Sequence, residues 1–72
     1  MTRSPFDRLA RAVRERRRLL GIGLPELALD MGVSEALLAA LERGEYDPRS
    51  LHVLAQRALS HRLDLTLDVF LL

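Results

Sequence analysis

The spacing of apolar residues along this chain changes from a helical period to a period of two near its C-terminal end. In four segments apolar side chains recur every three or four residues, which predicts amphipathic helices over residues 5–20, 24–31, 34–43 and 49–60. From residue 62 apolar and polar residues alternate, which predicts a β-strand over residues 62–72. The apolar face of this predicted strand consists of Leu63, Leu65, Leu67, Val69 and Leu71.

The predicted strand lacks a partner within its own chain, because no other segment has a period of two. Backbone N–H and C=O groups that are buried without a hydrogen bond cost about 1–3 kcal/mol each. The same strand of a second copy, related by a twofold axis, would satisfy them. We therefore expect residues 62–72 to form an intersubunit β-ribbon in a homodimer. A fifth helix with an irregular pattern is the alternative.

The clearest local signal lies between the second and third predicted helices. Gly32 can take the left-handed conformation that ends a helix, and Ser34 is a favourable N-cap for the next one. Val33 is the apolar residue between them. Two short helices joined by a glycine turn form the helix-turn-helix unit. The predicted fold is therefore an all-α helix-turn-helix domain over residues 1–61, followed by the dimerisation strand.

Composition excludes several classes of function. The chain has 72 residues, which suits one domain. It contains no cysteine and two histidines, so we expect no disulfide, metal site or cofactor. No glycine-rich phosphate loop or Ser/His/acid arrangement is present, which argues against an enzyme. The sequence shows no signal peptide and no apolar run near the ~20 residues that span a membrane, so we expect a soluble cytoplasmic protein.

Charge is distributed unevenly, although the net charge is only +1. Residues 1–20 contain seven arginines and two acidic residues, whereas the rest of the chain contains four arginines and eight acidic residues. All eleven basic residues are arginine, whose planar guanidinium group can bind phosphate in a bidentate manner. The outer face of the first helix is therefore either a solvated surface or a surface that faces phosphates.

The segment from residue 17 to residue 44 resembles the Cro/cI-type (XRE) family of helix-turn-helix proteins. The matching residues are Arg17, Ala28, Gly32, Val33, Ser34, Leu38, Leu41, Glu42, Arg43 and Gly44. The resemblance implies a lambda-repressor-like domain of four helices over roughly residues 6–60, with the third helix in the major groove of double-stranded DNA. It also implies a structural ion pair between Arg17 and Glu42.

This resemblance places the DNA contacts on the second and third helices and on the loop that follows. The corresponding residues are Leu24, Ser34, Glu35, Ala36, Leu37, Ala39, Ala40, Arg43, Tyr46 and Arg49. Bidentate base readout needs Arg, Lys, Asn or Gln, and the outward positions of the third helix have none of these. One interpretation is a DNA binder that relies on phosphate contacts, alanine–methyl contacts and DNA shape.

The alternative is a helix-turn-helix scaffold that has lost base reading and binds a protein partner through its apolar face. Leu37 and Tyr46 can also serve in packing. A domain of this kind that ends in a short strand resembles the HipB-type antitoxins, through residues 63–67 and their distance from Leu51. That resemblance implies a dimer that represses its own operon and holds a HipA-like kinase toxin. The sequence therefore favours a DNA-binding transcription regulator, an antitoxin and autorepressor.

Overall fold

The computed structural model describes residues 5–65. They form α1 (Asp7–Leu19), α2 (Leu24–Met31), α3 (Glu35–Glu42), a 3₁₀ turn (Pro48–Ser50) and α4 (Val53–Leu63). The prediction of an all-α domain with four helices is confirmed for this part of the chain. None of these helices is both long enough and apolar enough to cross a membrane.

All four helices contribute aliphatic side chains to one core, and α2 packs against both α3 and α4. Each of the larger aliphatic side chains stabilises the fold by about 1.5–3 kcal/mol when it is fully buried. The core residues are Leu9, Val13, Leu27, Ala28, Met31, Leu38, Leu41, Leu51, Ala55, Leu59 and Leu63. The inner side of α3 is therefore held by Leu38 and Leu41, while its outer side remains accessible.

The segment that joins α2 to α3 follows the sequence prediction. Gly32 ends α2 with a φ of 71°, and the N–H of Val33 donates to the carbonyl of Ala28 at 3.0 Å. This pair of features is a glycine C-cap, which satisfies carbonyls at the end of a helix. Ser34 Oγ accepts a hydrogen bond from the N–H of Leu37 at 3.1 Å and so caps α3. The start of α3 is thereby fixed directly after the end of α2.

The first helix is shorter than the predicted span of residues 5–20. It begins at Asp7, with Phe6 as an N-cap whose side chain makes no capping hydrogen bond, and it ends at Leu19. Leu20, which the helical spacing places on the core face, is 45% exposed. The chain leaves the helix there because Gly21 takes a φ of 68°, and a left-handed residue ends a helix.

The fourth helix begins and ends later than the predicted span of residues 49–60. Asp47 Oδ1 accepts from the N–H of Arg49 at 2.9 Å and caps a separate 3₁₀ turn. Leu51 is then extended, and His52 caps α4 through Nδ1, which accepts from the N–H of Leu54 at 3.1 Å. Leu54, which the apolar spacing groups with Leu51 and Ala55, lies in the first turn of α4 with its side chain 67% exposed.

The predicted strand is wrong at its first residues. Leu63 lies in the last turn of α4 with 0% exposure, and Asp64 ends the helix with a φ of 54°. The N–H of Leu65 then donates to the carbonyl of Ser60 at 3.0 Å, and Leu65 packs against the core. Leu63 and Leu65 thus complete the core of a single protomer instead of facing a second copy. The other three residues of the predicted dimerisation face, Leu67, Val69 and Leu71, lie outside the described residues.

The His52 cap leads to a prediction about stability. His52→Ala should lower the free energy of unfolding by about 0.5–2 kcal/mol, because the N–H of Leu54 loses its acceptor. His52→Asn keeps an acceptor at the cap and should stay closer to the wild type. Urea denaturation compares the free energies of unfolding of the two variants. Equal destabilisation by both would show that the ring acts through packing and not as a cap.

Candidate nucleic-acid interface

A bidentate ion pair joins α3 to α1. Arg17 Nε and Nη2 donate to Glu42 Oε2 and Oε1 at 2.6 and 3.0 Å, and Glu42 is only 7% exposed. Arg17 Nη1 also donates to the carbonyl of Ile22, while Arg14 Nη1 donates to the carbonyl of Glu42. The hydrogen bonds with Glu42 raise the pKa of Arg17. The structure therefore brings together the two residues that the family resemblance pairs, and α3 is locked to α1.

The outer side of α3 offers few hydrogen-bonding groups. The exposed or half-buried residues at the predicted base-reading positions are Glu35, Ala36, Leu37, Ala39 and Ala40. Of these, Leu37 also packs against the core. Ser34 Oγ accepts the capping bond, so its hydroxyl hydrogen is available to a ligand. This face can thus present methyl groups, one carboxylate and one hydroxyl donor to a partner.

Two further residues predicted to contact DNA are partly committed to packing. Leu24, in the first turn of α2, and Tyr46, in the loop after α3, are both half-buried and pack against the core. Their side chains help to hold α2 and the loop in place. The structure supports the packing role that the sequence leaves open for Tyr46, and it gives Leu24 the same role.

Both arginines that follow α3 are paired with acidic neighbours. Arg43 Nε lies 2.8 Å from Glu45 Oε2, and Arg49 contacts both carboxylate oxygens of Asp47 at 3.1 and 3.0 Å. The hydrogen bonds from Arg49 lower the pKa of Asp47, and the same pairing raises the pKa of Arg49. Such exposed pairs are weak because solvent and salt screen them. A phosphate can displace the carboxylates, but each guanidinium is neutralised in the free protein.

Arg62 forms a further ionic cluster that the sequence does not reveal. Its Nη2 lies 2.7 Å from Glu26 Oε2, and its Nε lies 3.1 Å from Asp30 Oδ2. Glu26 and Asp30 stand one turn apart on α2, a spacing that places both carboxylates on one side of the helix. That spacing indicates a cationic partner without identifying it. Arg62 ties α4 to α2 and is thereby engaged within the domain.

The six arginines of α1 divide into two groups of three. Arg14 and Arg17 contact Glu42, and Arg16 Nε donates to the carbonyl of Leu63 at 3.0 Å. The other three are exposed and form no hydrogen bond or ion pair with any residue of the described range 5–65: Arg8, Arg11 and Arg18. The cations of α1 that are free to meet a ligand therefore belong to this second group.

Within residues 5–65, α3 is held against α1 and its outer side is accessible. Three exposed arginines of α1 have no partner in the same range. Within residues 5–65 no group of three or more His, Cys, Asp or Glu side chains could hold a metal ion. The chain matches no family model, no curated protein and no solved structure.

Proposed function

We propose that this chain is a small DNA-binding transcription regulator with a lambda-repressor-like helix-turn-helix domain. The observation that carries the proposal is the way in which α3 is held. Residues 32–34 fix its start, and the buried Arg17–Glu42 pair fixes its end against α1. A helix that is already ordered loses little conformational entropy when a duplex binds to its free side.

The exposed side chains of α3 determine what such a complex can read. Ala36, Ala39 and Ala40 can contact thymine methyl groups, and Glu35 can accept a hydrogen bond from a cytosine amino group. These contacts discriminate weakly, so the shape and deformability of the duplex contribute to specificity. Most of the affinity comes from phosphates and falls steeply with salt.

The proposal extends to a cytoplasmic homodimer that represses its own operon and holds a HipA-like kinase toxin. Its support is the resemblance to HipB-type antitoxins described above. Leu63 and Leu65 belong to the core of the protomer, so a dimer contact through the predicted dimerisation face would have to rely on its other members, which lie outside the described residues.

Ala36→Asp tests the DNA-binding role of α3. The new carboxylate lies in the first turn of α3, where it complements the helix dipole by about 0.3–1 kcal/mol, so the fold should remain intact. The same charge faces the phosphates of a bound duplex, so binding should weaken by more than about tenfold. Fluorescence anisotropy with the duplex upstream of the reading frame measures this loss, and a shuffled duplex of equal composition measures selectivity.

Leu54→Asp is the matched control for this variant. Leu54 occupies the same position in the first turn of α4 that Ala36 occupies in α3, and it is exposed. The change in net charge is equal, so we expect near wild-type DNA binding if α3 is the contacting helix. Equal losses of duplex affinity in both variants would show that the change in net charge, and not its position on α3, weakens binding. A wild-type protein that binds the two duplexes equally would contradict a sequence-specific regulator.

Protein binding by the same face is a second candidate function. The observation that favours it is the apolar outer side of α3, next to two arginines that are neutralised by Glu45 and Asp47. The affinity of an apolar interface changes little with salt, whereas that of a phosphate-binding surface falls steeply. Absence of duplex binding at low salt would select this candidate, in which the helix-turn-helix serves as a scaffold.

A further inference from the structure

We infer that the outer side of α1 is a contact surface for nucleic-acid phosphates, separate from α3. Its members are Arg8, Arg11 and Arg18, which we call the α1 stripe. The inference rests on the proposed function, because it assigns the phosphate contacts of that DNA complex to a helix that does not read bases. It deepens the proposal by naming the residues that supply the affinity.

The α1 stripe lies on one side of its helix. At 100° per residue its three members and Glu15 fall within an arc of about 80°. The buried residues of α1, which are Leu9, Ala10 and Val13, are centred on the opposite side. A stripe that points directly away from the core can meet a large, flat partner such as a duplex without any movement of the domain.

Pairing within the domain separates the α1 stripe from the other arginines of α1. Three of the six donate to acceptors on α3 and α4. On α3 the acceptors are the carboxylate and the backbone carbonyl of Glu42, and on α4 the acceptor is the carbonyl of Leu63. These arginines hold the helices together. The α1 stripe has no such role within residues 5–65, and an arginine cluster without internal acceptors is suited to an external anion.

The arginines next to α3 differ from the α1 stripe, because both have acidic partners. Arg43 and Arg49 each spend guanidinium donors on Glu45 and Asp47, with which a phosphate has to compete. The α1 stripe needs no such exchange. Phosphate contacts through α1 therefore resolve the difficulty that the predicted reading face carries almost no free positive charge.

The dimensions of the α1 stripe suit a phosphate backbone. Arg8 and Arg18 are separated by ten residues, which is about 15 Å along a helix. Phosphates of one DNA strand advance by about 3.4 Å along the duplex axis, so this length covers about four of them. Three guanidinium groups in a line fit such a regular array. Glu15 lies within the line and opposes binding, which provides a variant with the opposite expected effect.

The test uses four variants of the full chain: the triple change Arg8→Gln, Arg11→Gln and Arg18→Gln, the single change Arg11→Gln, Glu15→Gln, and Arg57→Gln as a control. Arg57 is exposed on α4 and has no ion pair within residues 5–65. Affinity for a shuffled duplex is measured by anisotropy across a series of salt concentrations. Thermal unfolding of each variant verifies that the fold is retained.

Each phosphate contact contributes about 0.9 to the slope of log K against log salt. The triple variant should therefore reduce the slope by up to about 2.7, and Arg11→Gln should reduce it by about 0.9. Glu15→Gln should bind more tightly, and Arg57→Gln should keep the wild-type slope. An unchanged slope in the folded triple variant would overturn the inference. A slope reduced as much by Arg57→Gln as by Arg11→Gln would overturn it too.

Selectivity and salt dependence separate this inference from the proposed function. Preference for the upstream duplex combined with an unchanged slope in the triple variant would reject the α1 stripe but retain the regulator. A reduced slope without any preference would retain the α1 stripe but reject the sequence-specific regulator. Poly-L-glutamate serves as a second probe: if the wild type binds it and does not bind the duplex, the surface fits an acidic protein and the inference fails.

Discussion

Replacing Glu42 with alanine should destabilise the domain by about 3–5 kcal/mol, which is the effect expected when one partner of a buried ion pair is removed. Arg17 would keep its charge in a site where its side chain is only 15% exposed. Its remaining acceptor would be the carbonyl of Ile22. Since small domains have a stability of roughly 0.05–0.15 kcal/mol per residue, this loss would remove a large part of the total. The variant should be partly unfolded at physiological temperature.

The double variant Arg17→Met with Glu42→Leu is the control for this prediction. It removes both charges and leaves apolar side chains of similar size, so no ion remains buried without a partner. We expect it to be more stable than Glu42→Ala alone. Urea denaturation followed by circular dichroism gives both free energies. A Glu42→Ala variant with the wild-type midpoint would show that the pair does not hold α3 against α1.

The elements that could be predicted from the sequence are those whose ends are set by contacts between residues close together in the chain. Gly32 and Ser34 define the end of α2 and the start of α3 through contacts with residues at most five positions away. Both helices accordingly have bounds close to those expected. The two partners of the Arg17–Glu42 pair are 25 positions apart, and their pairing could be expected only because a family resemblance supplies the partner.

The fourth helix shows why other bounds could not be predicted. Its cap is His52, and histidine is not among the residues that usually mark a helix start. Asp47 and Pro48 instead form their own 3₁₀ turn, which takes up the residues where the helical pattern begins. The apolar spacing alone does not record this interruption, so the predicted helix begins at residue 49 and the observed one at Val53.

The C-terminal end of α4 depends on contacts between distant residues. The alternating pattern from Leu63 onward favours a strand, but Arg16 Nε donates to the carbonyl of Leu63 from the other end of the chain. Arg16 also lies 3.9 Å from the carboxylate of Asp64, the left-handed residue that closes the helix. The period of apolar residues predicts a local secondary structure. It does not show which distant residues will contact that segment in the folded domain. Arg43 and Arg49 pair with acidic residues only two positions away, but the apolar spacing on which the prediction rests does not report such contacts between charged side chains.

Leu63→Ala should destabilise the protomer by about 2–5 kcal/mol, because it leaves a cavity at a fully buried position of the core. If Leu63 instead belonged to a ribbon between two copies, its loss would weaken the dimer, and the destabilisation would depend on protein concentration. We expect the same decrease in unfolding free energy at every concentration. Denaturation curves recorded over a wide range of protein concentration distinguish the two outcomes.

Leu54→Ala provides the matched control, because it makes the same chemical change on the same helix at an exposed position. It should alter the unfolding free energy by less than about 0.5 kcal/mol. A chain that ends at residue 65 completes the test, since it keeps Leu63 and Leu65 and removes Leu67, Val69 and Leu71, the rest of the predicted dimerisation face. This chain should remain folded and behave as a monomer in light scattering. If it unfolds, residues 66–72 are needed by the protomer itself, and if it remains a dimer, the contact between copies lies elsewhere.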